Sequence, residues 1–412
     1  MMKMKINITG YVIMLLAFLI PVWAKLVPLV IALLFLLWLI EGHFKNKFQN
    51  IFRNKFNLIF IAFYLLYVAG LIYTTDMGRG VFDLEVKLSL LVFPLLFFSG
   101  SNSISKTKLS DVLKSFVAGS LVITVFLLVR AFYFYFQTHE FVRLTYTYLS
   151  FYTSPSYLAM YLNFSVMVVF FSFLEGKKSN ISLFLHAFLM LFFAGFLVLL
   201  SSKSGIITMA ISVIFMFIFL FIRKKYLFVS VLTLVLLVSV FFVVKFAKVT
   251  TERMMTAIDT FLNYQAVSST AEESTSERIL VWRASAQIIK NNPLVGVGTG
   301  DVKEELMCEY QNENISYAIE KSLNAHNQYL QTGVAIGIIG LLFLLFTLFA
   351  PMFKAIELRD WIYFVFLFLI VINLLFESML ERQAGVVFYA FFNALLYSDM
   401  RKKQLEYVNT NL

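Results

Sequence analysis

A single cysteine, Cys308, stands in 412 residues, so no disulfide can form within the chain. Charge is also scarce. Acidic and basic side chains make up 14% of the sequence, against roughly 25% in a soluble domain. The long hydrophobic stretches do not alternate with polar residues, which excludes a membrane β-barrel. There are four histidines, and no Cys/His or paired-carboxylate cluster has the spacing of a metal site. Internal repeats, low-complexity tracts and Pro-rich linkers are missing.

Apolar residues fill the sequence instead. It is 60% hydrophobic and 17% aromatic, with a mean hydropathy of +0.83. A soluble core cannot absorb that much apolar surface, so the bilayer is the expected solvent. Apolar runs recur at the roughly 20-residue length of a spanning helix. They predict spans at about 6–23, 25–41, 56–74, 84–99, 112–136, 155–174, 181–200, 203–222, 226–246, 328–351, 359–376 and 382–398. The expected fold is all-α and integral to the membrane, with about twelve transmembrane helices and one large loop outside the membrane carrying short amphipathic helices. The chain then divides into helices one to nine (1–246), the loop (247–327), and helices ten to twelve with a tail (328–412).

A net charge of +10 raises the question of nucleic acid. The basic residues are dispersed through short breaks between spans, which is the mark of topology and not of a binding face, so no nucleic acid is expected. Alternate breaks hold Lys3 and Lys5; Lys45, Lys47, Arg53 and Lys55; Lys106, Lys108 and Lys114; Lys177 and Lys178; Arg223, Lys224 and Lys225; Lys354 and Arg359; and Arg401, Lys402 and Lys403. The positive-inside rule puts these breaks and both termini in the cytoplasm and the 247–327 loop outside. Lys3 and Lys5 before an apolar stretch resemble a signal peptide, but a second span follows at once and a retained hairpin is expected.

Within the loop, Ser274-Thr275-Ser276-Glu277 fits a capping box. Ile279, Trp282, Ala286 and Ile289 recur at helical spacing, with Arg278 and Arg283 beside the stripe. Asn291-Asn292-Pro293 ends that helix, the glycine-rich turn Pro293–Asp301 follows, and a second short helix is expected near 301–310. Gly298-Thr299-Gly300-Asp301 matches an intramembrane aspartyl protease motif, yet it lies in the loop and no second aspartate sits inside a span. The glycines at 296, 298 and 300 follow no strand and are spaced too closely for a dinucleotide fingerprint.

His326 lies at the outer start of the tenth span, where the positive helix end disfavours imidazolium. It is either a general base or an interfacial cap. Lys203, in Ser201-Ser202-Lys203-Ser204-Gly205, either snorkels to the interface or holds an anion at a helix start. Ser204 with His326 lacks the third group of a hydrolase triad. Gly333, Gly337 and Gly340 are expected to let membrane helices approach closely. Arg143, Lys203, Arg278, His326 and Arg382 all map to the outer side. Cations and one base at that level suit an anionic substrate such as a lipid-linked pyrophosphate.

Three stretches together resemble the O-antigen ligase and polymerase superfamily of membrane glycosyltransferases. They are Ser201 through Ala210; Ser276 through Trp282 with Pro293 through Gly300; and Ala325 through Leu330 with Gly333 and Gly337. The likeness is most specific over about 195–345 and weaker at Arg143 through Tyr161 and Glu377 through Gly385. The resemblance implies a GT-C-like fold and an enzyme of the bacterial inner membrane. It implies transfer of a glycan from undecaprenyl pyrophosphate to an acceptor hydroxyl on the periplasmic face, without nucleotide sugar, metal or other cofactor. It further implies that Arg278 and His326 are essential, with Lys203, Arg143 and Arg382 around the pyrophosphate; the family usually has arginine where Lys203 stands. Lipid A-core as acceptor makes a ligase, and a growing glycan makes a polymerase. A protein acceptor, or transport of the same lipids, are the remaining alternatives. A transporter should show broken helices or charges at mid-membrane, for which Arg130 and Lys87 are the candidates.

Overall fold

In the computed structural model the described residues are 7–101, 104, 106–175, 179–246, 248–263 and 274–410. Lys3, Lys5, Lys177 and Lys178, used above for sidedness, and the loop residues 264–273 lie outside them. The described chain is helical and contains no strand. In order it forms α1 (Ile8–Val22), α2 (Val27–Ile40), α3 (Phe44–Arg53), α4 (Lys55–Gly70), α5 (Met77–Lys87), α6 (Ser89–Phe98) and α7 (Leu109–Thr138). There follow α8 (Pro155–Leu174), α9 (Asn180–Leu200), α10 (Lys203–Ile222), α11 (Tyr226–Phe246) and α12 (Lys248–Leu262). The last six are α13 (Ser274–Asn291), α14 (Val302–Asn312), α15 (Ser316–Lys321), α16 (Gln328–Glu357), α17 (Trp361–Phe376) and α18 (Gln383–Thr410).

Helices occupy all twelve expected spans. Among the described residues six are long and apolar enough to cross a bilayer, or seven if the bent pair Ala24–Ile40 and Phe44–Arg53 is one span. The chain is therefore a multi-pass membrane protein, and twelve is the larger figure that the sequence leads one to expect. The expected span at 84–99 is two helices, α5 and α6, which meet at Leu88. The division falls where Lys87 turns into the interior, and Pro94 removes a donor from the helical ladder just beyond.

Two compact units divide the chain. One holds residues 1–116 and 264–412, the other 117–263. In the second unit α8 is buried on nearly all its faces, as befits a helix that is apolar all round. Asn163 in α8 donates to the carbonyl of Gly205 at 3.1 Å, and a Cβ on Gly205 would collide with Ala159. Glycine at that position lets α8 and α10 approach closely. Ser165 and Ser120 add a buried hydroxyl pair at 2.9 Å.

The first unit has an aromatic core, in which Phe391, Phe388 and Phe392 of α18 meet Phe93 of α6, Phe116 of α7 and Phe366 of α17. Edge-on pairs such as Phe116–Phe392, 4.9 Å between centroids, suit the ring quadrupoles. The buried face of α13 runs through Leu280, Val281, Ala284 and Ile288. Ala286, expected on the apolar stripe, is exposed. Ile289 packs instead at the edge of that face, where a Cβ on Gly333 would press on it.

The glycine-rich turn after α13 docks into a break in α16. Ile336 and Gly337 leave helical geometry, with Gly337 at φ 63° and ψ −163°, a conformation essentially confined to glycine. The turn supplies partners for the opened ladder. Val297 N–H donates to the Val334 carbonyl at 2.8 Å and Gly298 N–H to the Ala335 carbonyl at 3.0 Å. In return Ile338 N–H donates to the Pro293 carbonyl at 2.9 Å. Gly333, Gly337 and Gly340 were expected to ease the packing of one helix on another; at Gly337 the glycine instead admits a loop. Beyond the turn, Thr299 Oγ1 donates to the Tyr67 carbonyl at 2.6 Å. The Asp301 carboxylate accepts the N–H groups of Thr75 and Asp76, each at 2.8 Å at its shortest.

Two outcomes follow. Gly337→Ala adds backbone strain of roughly 1–3 kcal/mol and a collision with the Leu294 carbonyl. Its melting temperature in detergent should fall by several degrees, whereas Gly195→Ala, with open space around it, should melt like the parent. At Asp301 burial disfavours the charged carboxyl, but the Asp76 and Thr75 N–H groups win and hold it below its ordinary value of 3.8. A depressed folded-state value stabilises the protein fully above that ordinary value, and the gain disappears as pH falls through the lower one. Denaturation of wild type and Asp301→Asn should differ by a constant amount at neutral pH, and the gap should close below about pH 4.

Candidate active site

Three side chains from three separated parts of the first unit converge. Arg278 stands on the second turn of α13, and its Nη2 reaches Glu377 Oε1 at 3.3 Å. His326 precedes the N-cap of α16, and its Nδ1 lies 3.7 Å from Glu377 Oε2. That is an ion-pair separation, longer than a hydrogen bond. Each oxygen of Glu377 thus faces one partner. All three side chains are largely covered, with 19%, 27% and 15% exposure for Arg278, His326 and Glu377.

Local rules place each residue. Asn327 caps α16 by accepting from Tyr329 N–H at 2.9 Å and Leu330 N–H at 3.1 Å. His326 is held at φ 46°, and its N–H donates to Asn324 Oδ1 at 3.0 Å. The neighbouring Ala325 N–H donates to Gln331 Oε1 at 3.1 Å. The histidine therefore projects from a turn in which its own N–H and that of Ala325 are both engaged. Glu377 follows the last turn of α17 in extended geometry, so its carboxylate swings away from the helix axis.

Several polar atoms here are buried without a hydrogen-bond partner among the described residues. They include Arg278 Nε, His326 Nδ1, the indole N–H of Trp282 one helical turn past Arg278, and Ser378 Oγ beside Glu377. A buried donor left unpaired is costly. Among the described residues no three His, Cys, Asp or Glu side chains converge on a metal-sized site.

Two of the residues proposed from sequence, His326 and Arg278, are brought together. Arg382 is not: it is exposed at the start of α18, and no ion pair joins it to the other described residues. Lys203 and Arg143 belong to the second unit. Lys203 opens α10, whose N-cap Ser202 accepts from Gly205 N–H at 3.3 Å. Arg143 pairs with Glu140 at 2.9 Å and lies over the Tyr148 ring. Arg130, eight residues before the last residue of α7 and half-buried, donates to the Tyr148 carbonyl and stacks on Phe151.

Sequence reasoning missed two residues. Arg253 of α12 donates to the Ser201 carbonyl at 3.3 Å and lies 3.8 Å over the Tyr146 ring, beside the turn that carries Lys203. No motif marks it. Glu377 did carry a signal. It ends a sixteen-residue apolar helix, where a carboxylate is expensive unless it has a partner.

Residues 187–345 match the family model Wzy_C, described as O-antigen ligase. No curated protein matches the chain. The matched segment contains Lys203, Arg278 and His326, and ends before Glu377. Over this segment, which is less than half of the chain, the protein is similar to the O-antigen ligase family, the same family that its three motif stretches resemble.

Proposed function

We propose that the protein is an O-antigen ligase-like glycosyltransferase, which moves a glycan from undecaprenyl pyrophosphate to an acceptor hydroxyl on lipid A-core. The observation that carries this reading is Glu377, whose carboxylate joins a cation, Arg278, to a potential base, His326. Two of the three lie within the segment matched to the family. The proposed compartment is the bacterial inner membrane, with both termini in the cytoplasm and 247–327 in the periplasm, as the distribution of lysine and arginine suggests.

In the proposed reaction the acceptor oxygen attacks the anomeric carbon and the bond from that carbon to the pyrophosphate oxygen breaks. The electron pair leaves with undecaprenyl pyrophosphate. The hydroxyl proton passes to His326. With Nδ1 turned toward Glu377, Nε2 is the atom left to accept it. The Glu377 carboxylate then favours the imidazolium that forms. Arg278 meets the charge growing on the leaving phosphate, and its planar fork suits phosphate better than an ammonium does. Attack on the face opposite the leaving group inverts the anomeric centre. The chemistry needs no metal, since pyrophosphate is already a good leaving group.

Deletion of the gene followed by analysis of surface glycan tests the reading. A ligase leaves lipid A-core bare while lipid-linked polymer accumulates; core carrying a single repeat identifies a polymerase instead. Complementation with His326→Ala should restore no more than about 10⁻² of wild-type transfer, in keeping with loss of a general base, while the protein inserts normally. Arg278→Ala should fail as well, and Arg278→Lys should rescue only part. Full complementation by both alanine variants would remove the active-site assignment.

Lys203 gives a separate outcome. If it holds pyrophosphate as a point charge, Lys203→Arg keeps or raises transfer and Lys203→Gln loses most of it. Unchanged donor affinity in Lys203→Gln would assign the lysine to the membrane interface alone.

A further inference from the structure

The mechanism gives no task to Lys87, although its side chain is wholly buried. An ammonium out of water is costly unless it is well paired. Its Nζ donates to Asp83 Oδ1 at 2.6 Å and to Glu381 Oε1 at 2.9 Å, and lies 4.9 Å over the Tyr67 ring. Two carboxylates therefore share one ammonium, more than neutrality requires.

The partners of Glu381 close a circuit. Leu380, its neighbour, donates its N–H to Gln328 Oε1 at 2.7 Å. Gln328 Nε2 donates to Thr332 Oγ1 at 3.1 Å. Thr332 Oγ1 pairs with Tyr67 Oη at 3.2 Å, and the Tyr67 ring lies against Lys87. Gln328, Thr332 and Tyr67 are buried. The circuit grips two loops, one between α17 and α18 and one at the start of α16. Glu377 is four residues before Glu381, and His326 is two before Gln328.

We infer that this closed circuit sets the separation of His326 from Glu377, and that Lys87 and Glu381 are positioning residues for the transfer proposed above, on which this role rests. Neither touches the reacting atoms. A buried ion pair adds little to stability compared with apolar residues of the same size, and its best-attested use is to fix geometry. Asp83 pairs with Lys87 on the same helix and also faces Glu381, but none of the links that join the two loops passes through it.

The excess carboxylate makes the test possible. Glu381→Met leaves Lys87 paired with Asp83 and cuts the circuit. Asp83→Asn leaves Lys87 paired with Glu381 and keeps it. Each variant retains one buried ion pair. Lys87→Met strands two carboxylates and is the variant most exposed to misfolding, so the decision rests on the first two.

Amide hydrogen exchange and glycan transfer are measured on the full chain in lipid nanodiscs. Glu381→Met should speed exchange roughly tenfold at Leu380 and across 324–328 and 377–382, with α1 and α2 unchanged. Its kcat should fall about tenfold or more while KM for the lipid-linked donor stays within about twofold. Asp83→Asn should match wild type in both. Unchanged exchange in Glu381→Met overturns the inference whatever happens to transfer. Faster exchange with full kcat overturns the positioning role. Faster exchange in a protein whose wild type transfers no glycan supports the clamp and removes the proposed reaction.

Discussion

Inside an apolar surrounding a broken helix frees peptide groups that water cannot reach, so the break must bring its own partners. In this chain the turn after α13 supplies them at Gly337, and much of the first unit is arranged around that junction. It joins the helix bearing Arg278 to the helix that starts beside His326. The same turn continues through Thr299 and Asp301 to the connection between α4 and α5, so four elements share one short stretch of backbone. Broken helices line the substrate paths of many transporters. Here the gap is occupied by the chain's own turn, which favours a scaffold over a pathway.

Helices were legible because hydropathy is a local property. The runs that became α4, α8, α10 and α16 are visible without knowledge of anything else in the chain. The division of α5 from α6 was less so. A lysine inside an apolar run reads as an interruption near a span end, and only the fold reveals that Asp83 and Glu381 await it. The face of α13 was misjudged by one position for a related reason. Spacing alone put Ala286 inward, whereas the surface that covers the helix is set by residues far away in sequence.

The site was half legible. Arg278 and His326 stood out through motifs and through helix-end electrostatics. Glu377, which joins them, sits about fifty residues beyond His326 and about a hundred beyond Arg278. A lone acid after an apolar helix announces that it has a partner, but not which one. Arg253 announced nothing, since one arginine in a polar helix resembles any other. Ser201 and Arg253 meet in the second unit, and that meeting is a fact of folding alone.

The Arg278–Glu377–His326 triangle has a consequence for timing. The guanidinium and carboxylate cancel, and the proposed role of His326 as the base requires that its imidazole start neutral, so that the group begins with no net charge. In the proposed reaction a proton reaches the imidazole as negative charge builds on the departing phosphate. The local field thus becomes positive in step with the bond that breaks, and fades once the proton leaves. A permanently positive pocket would grip the released lipid pyrophosphate as firmly as the transition state. One whose attraction rises and falls with the proton holds the leaving group only while it is being made, and then lets the carrier lipid go.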